Sequence, residues 1–165
     1  MFYPKAAAIA ILNPLPAFVP IASITSVLGT ERTAGITISE NNGDLLFYTD
    51  GITVWDKQHN IMPNGTGLTG DSSSTQSAII VPKPGDVSIF YIFTVDDLAG
   101  PNGLRYSEVN MTLNGGNGDI TNQKNIELNA FTTEKISAVK HANGIDFWVV
   151  THDWNNNNFF TIKIF

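Results

Sequence analysis

The chain has 165 residues, of which 42% are hydrophobic and 15% charged, with a formal net charge of −6 and no cysteine. That length holds one domain with a sizeable core, and the hydrophobic share excludes a disordered tail. Nine Lys and Arg are scattered among fifteen Asp and Glu, which gives no basic stripe for nucleic acid or an anionic membrane, and the missing cysteines exclude disulfides, thiol catalysis and Cys-based zinc sites.

Lys5 followed by Ala6–Leu12 opens like a secretory leader, but Asn13-Pro14 and Pro16 cut the apolar run short and no small-x-small cleavage site follows. The other reading is a first strand, Ala7–Leu12, ended by a proline loop. Residues 1–30 are therefore set apart as an atypical N-terminal strand and loop. No apolar run reaches the length of a membrane-spanning helix.

Further along, strands are predicted over Gly35–Glu40, Asp44–Thr49, Ile52–Lys57, Gln76–Pro82, Ile89–Val95, Leu104–Met111, Ile136–His141, Phe147–His152 and Phe159–Phe165. Their signals are apolar alternation and β-branched or aromatic content. Six Asn-Gly pairs, beginning at Asn42, Asn64, Asn102, Asn114, Asn117 and Asn143, punctuate them, because Asn and Gly accept the positive φ of tight hairpins. Asn60–Thr75 and Thr112–Thr121 read as long loops. No window sustains a helical period, so the class is all-β.

A repeat underlies the strands. Leu45-Leu-Phe-Tyr-Thr-Asp50, Tyr91-Ile-Phe-Thr-Val-Asp96 and Phe147-Trp-Val-Val-Thr-His-Asp153 are aromatic strands that run through Thr to a closing Asp. Each follows a strand of smaller residues and precedes an amphipathic one, which is the logic of a propeller blade. The expected architecture is β-propeller-like, with about three to four blades, over residues 33–70, 71–131 and 132–165. Rings take about four to eight blades, so the expectation is a portion of a larger propeller whose open strand edges invite pairing with other chains.

Several motifs resemble one known group in order. They include Gly43-Asp-Leu-Leu-Phe-Tyr-Thr-Asp-Gly-Ile-Thr-Val-Trp55, Met62-Pro-Asn-Gly-Thr-Gly67, Ala138-Val-Lys-His-Ala-Asn-Gly144 and Phe147-Trp-Val-Val-Thr-His152. The group is the N-terminal propeller-like region of large secreted Bacteroidetes surface proteins, which often carry a gliding-motility-associated, type nine secretion sorting domain. The resemblance spans roughly residues 31–163 and implies an extracellular or cell-surface module with an adhesive, gliding or matrix-related role. Its implied partners are proteins, glycans or further copies of the chain, and it implies no catalytic residues.

The residues themselves give weak enzyme signals. Tyr48-Thr-Asp-Gly-Ile-Thr-Val-Trp55 is one residue off the sialidase Asp-box spacing, and only Arg32 and Arg105 are present to hold an acidic sugar. Glycoside hydrolysis needs two facing carboxylates, whereas most Asp residues here fall at predicted turns, where capping explains them. A propeller glycosidase or lyase and a self-assembling subunit remain as alternatives to a non-catalytic binding module. The ligand candidates are Trp55 and Trp154, as a sugar-stacking platform, and His141 with His152, as a pair on adjacent strands. Asp96, Asp97 and Asn102 form an oxygen-rich loop suited to calcium. For each group the competing explanation is ordinary packing or loop capping.

Overall fold

A computed structural model describes residues 35–165; the expected strand Ala7–Leu12 and residues 1–30 lie outside them. The described chain is all-β. It forms three successive antiparallel sheets, none closed on itself. The first runs β1 (Ile36–Ser39), β2 (Leu45–Thr49), β3 (Thr53–Asp56) and β4 (Ile61–Thr66) in sequence order. The middle sheet runs β5 (Ala78–Pro82), β6 (Ile89–Val95), β7 (Leu104–Asn110) and β8 (Asp119–Ile120), with β9 (Ile126–Asn129) also paired to β7. The third runs β10 (Thr132–Lys140), β11 (Phe147–Asp153) and β12 (Phe159–Ile164).

The sheets stack in chain order. Phe47, Val54 and Met62 of the first sheet meet Ile80, Phe90, Ile92 and Val109 of the middle one. The Phe47 and Phe90 rings pack edge to face at 5.5 Å. On the other side of the middle sheet, Ile79, Val81, Phe93 and Val95 meet Ile136, Phe147 and Val149. Side chains alternate across a strand, so β5 and β6 must be apolar at consecutive positions to serve both cores. Ala78–Val81 and Ile89–Val95 meet that demand. β5 also lies against both β1 and β10, so the first strands of the three sheets adjoin.

Two expected loops carry strands. Asn60–Thr75 contains β4 and Thr112–Thr121 contains β8. Met62-Pro-Asn-Gly65 reads as a turn, yet it pairs because β4 is an edge strand, where proline loses no ladder bond. A Cβ on Gly65 would stand 2.7 Å from Met62 O and 2.9 Å from Val54 O, so a side chain there would part β4 from β3. β10 begins at Thr132, ahead of the expected Ile136, through a register shift between those two residues.

The Asn-Gly signals fall in four of the hairpin connections, and in three of them not by the turn that their composition suggests. Gly43 and Gly144 have positive φ while Asn42 and Asn143 do not. Glu40 O and His141 O accept from the glycine N–H at 2.9 Å in each case, which is a type I turn closed by a left-handed glycine. Among the six, both residues are left-handed only at Asn114-Gly115, with φ of 50° and 64°.

Candidate functional site

The sequence candidates fall into four places. Trp55, on β3, stacks on Tyr48 of β2 with ring centroids 5.3 Å apart and planes 13° from parallel. Tyr48 is wholly buried, and its hydroxyl meets His59 Nδ1 at 3.2 Å. Burial, and secondarily the Asp56 carboxylate, raise the Tyr48 pKa above the ordinary phenol value. Trp55 is thus a lid on a buried tyrosine in the first sheet. Trp154 lies after β11 in the third sheet, so the two tryptophans do not form one platform.

Trp154 lines a groove of about 470 Å³ with His152, Phe159, Glu134 and Lys135. His152 sits edge-on to Phe159 at 4.9 Å, and its Nδ1 is 2.6 Å from Asp153 O. The groove therefore joins aromatic faces to an ammonium and a carboxylate. Glu134 also has a structural duty. Its Oε2 accepts from the Thr75 N–H at 2.7 Å and the Thr75 hydroxyl at 2.8 Å, and its Oε1 from the Leu98 N–H at 3.4 Å. These donors, led by the Thr75 N–H, hold its pKa below the usual glutamate value against partial burial.

His141 and His152 do not come together. His141 follows β10 and lies against Trp148 at 5.8 Å, and its Nδ1 accepts from the Asn143 N–H at 3.1 Å. His152 is near the far end of β11. The four residues from Trp148 to His152 span about 13 Å of strand, too far for one ion.

The oxygen-rich loop is rearranged as well. Asp96 is buried, and its carboxylate accepts the N–H groups of Asp97 at 3.0 Å and Asn102 at 2.9 Å. Asn102 thus meets Asp96 with its backbone. The acidic cluster that the fold assembles is Asp71, Asp96 and Asp97, with carboxylate oxygens within 4.8 Å of one another. The Ser73 hydroxyl reaches Asp71 Oδ1 at 2.6 Å and Asp97 Oδ2 at 2.8 Å. That hydroxyl, with the Ser73 N–H, lowers the Asp71 pKa. Asp71 lies on the loop before β5, 25 residues upstream of Asp96, so no local spacing announced it.

Three other carboxylates hold turns. Asp50 accepts from the N–H groups of Ile52 and Thr53, Asp56 from those of Gln58 and Asn60, and Asp86 from that of Ser88. Each closes a loop around an acceptor of the Asx-turn kind.

No protein-family model, curated protein or solved structure matches this chain.

Proposed function

We propose that the chain is a non-catalytic binding or structural module of a secreted cell-surface protein, its three sheets serving as blades of a β-propeller-like repeat. The observation that carries the architecture is the position of β5 between β1 and β10 while each sheet stacks on the next. First strands gathered together, with sheets fanning outward from them, is the arrangement of blades about an axis. Three sheets make part of such a ring. The cell-surface setting rests on the sequence resemblance.

Two features support binding over catalysis. Asp50, Asp56, Asp86 and Asp96 point their oxygens at their own loops. The groove at Trp154 offers flat aromatic faces beside Lys135 and Glu134, which suits a sugar ring with polar substituents or a peptide. Among the described residues no helix is long and apolar enough to cross a membrane.

The test pairs retention with turnover. Purified chain is passed over surface polysaccharides and proteins, and the bound ligands are then assayed for cleavage. Retention that Trp154→Ala weakens, without cleavage, is the expected result. Release of cleaved sugar or peptide by the pure chain overturns the non-catalytic reading.

A further inference from the structure

The six Asn-Gly pairs share a latent reaction. The backbone nitrogen of the glycine can attack the asparagine side-chain amide, because no Cβ on the following residue shields it. Attack needs a glycine N–H without a hydrogen-bond partner and an asparagine amide free to swing toward it. Five pairs lack at least one of these. The N–H groups of Gly43, Gly103, Gly118 and Gly144 donate to Glu40 O, Gly100 O, Leu113 O and His141 O at 2.9–3.2 Å. The Asn42 and Asn143 amides are also tied, to Asp44 and Asp146. Asn64 Nδ2 donates to Asp119 Oδ1 at 3.0 Å, and Asn117 Nδ2 to Gln58 Oε1 at 3.3 Å.

Asn114-Gly115 is the exception among the described residues. It opens the short 3-10 turn Asn114–Gly116 between β7 and β8. There Gly116 donates to Leu113 O at 3.0 Å and Asn117 to Asn114 O at 3.2 Å. The Gly115 N–H, between those two donors, makes no hydrogen bond, and neither does the Asn114 side chain. Both residues are exposed, and a Cβ on Gly115 would meet nothing within 4 Å. Turning the Gly115 peptide plane toward the side chain gives up only the longer of the two turn bonds, and Gly116, at φ 88°, absorbs the rotation.

We propose that Asn114 is the site at which the folded chain deamidates, through a cyclic imide with Gly115. The Gly115 nitrogen bonds to Asn114 Cγ and yields its proton to solvent. The side-chain nitrogen leaves as ammonia, with a proton returned from water. A second water then opens the imide at either carbonyl. Attack on the side-chain carbonyl gives aspartate, and attack on the backbone carbonyl gives isoaspartate. Each product adds one carboxylate, which takes the net charge from −6 to −7. Isoaspartate also runs the chain through the side-chain methylene and so lengthens the backbone of a turn whose far end is held. There Asn117 reaches Gln58 of the first sheet, and Gly118 packs on the Met62 and Met111 side chains. The modification therefore acts where the middle sheet meets the first, and it takes no ligand and no second chain.

Incubation of the full native chain at mildly alkaline pH, followed by peptide mass mapping, decides it. Asn114 should convert at least about fivefold faster than each of the other five, the factor set by one ordinary hydrogen bond that those sites must first break. Isoaspartate at position 114 marks the imide route, since direct hydrolysis of the side-chain amide yields aspartate alone. In a chain unfolded by urea the six sites should react at similar rates, because glycine follows every one. Asn114→Gln should remove the first acidic species to emerge on ion exchange. Native conversion led by another asparagine, or the same preference for Asn114 in native and unfolded chains, overturns the proposal. So does aspartate at 114 without isoaspartate, or a native Asn114 that stays intact while the unfolded chain reacts.

Discussion

Glu134 on β10 accepts both the N–H and the hydroxyl of Thr75, at 2.7 and 2.8 Å, across a separation of 59 residues. The pair ties the loop that enters the middle sheet to the first strand of the third. It also reaches Leu98 in the loop between β6 and β7. One carboxylate thereby fixes three segments at a sheet boundary, beside a groove that the aromatic residues line.

That geometry gives a pH dependence with a defined sign. The Glu134 pKa is held down in the folded chain by the Thr75 N–H, the Thr75 hydroxyl and the Leu98 N–H. Its contribution is present above the unfolded glutamate value of about 4.3 and is lost as pH falls through the lower folded value. Glu134→Gln should cost about 1 kcal/mol at neutral pH and flatten the acid limb of the stability curve. Urea melts of both proteins at pH 7 and at acid pH check this, and equal pH slopes would count against the tie.

Gly51 gives a sharper case. It sits at φ 92° in the turn between β2 and β3, and a Cβ there would stand 2.1 Å from Ser77 Oγ. Both the backbone and the space demand glycine. Gly51→Ala should destabilise by more than about 1 kcal/mol, the ordinary cost of Ala at positive φ, because the entry to β5 must also move. Thermal melts measure the loss. Ser77→Ala, which removes the crowding oxygen, should restore part of it in the double variant.

Asp56 tests the reading of carboxylates as turn closures. It is 3% exposed, and its Oδ1 accepts the Gln58 N–H at 2.8 Å and the Asn60 N–H at 3.0 Å. Asp56→Ala leaves those donors without their acceptor and should cost about 1–3 kcal/mol, while Asp56→Asn keeps an acceptor oxygen and should cost less. Chemical denaturation distinguishes the two. An equal loss in both would assign the effect to charge instead of to the turn.

The strand pattern was legible because it is local: alternation in Leu45–Thr49 or Ile89–Val95 needs no partner to be seen. β4 and β8 were hidden for a physical reason. Met62-Pro-Asn-Gly65 and Asp119–Ile120 carry turn-like or minimal strand signals, and they pair only because a neighbouring strand offers a free edge. The groove was half legible. Trp154 and His152 are read from composition, but Glu134 and Phe159 join them through the β10 register shift and the β11–β12 pairing. Asp71 joined Asp96 and Asp97 across sequence for the same reason.

The last prediction sets equivalent valines against each other. Val81 and Val139 hold the same place in the repeat, each opposite the second aromatic of its central strand. Val81 is sealed between the middle and third sheets, so Val81→Ala removes two buried methyl groups' worth of packing and should cost about 1–3 kcal/mol. Val139 faces outward, and Val139→Ala should stay within about 0.5 kcal/mol in dilute solution. Urea melts of the two variants measure the difference. An equal loss at both positions would overturn the reading that the repeat position is sealed in the middle sheet and open in the third.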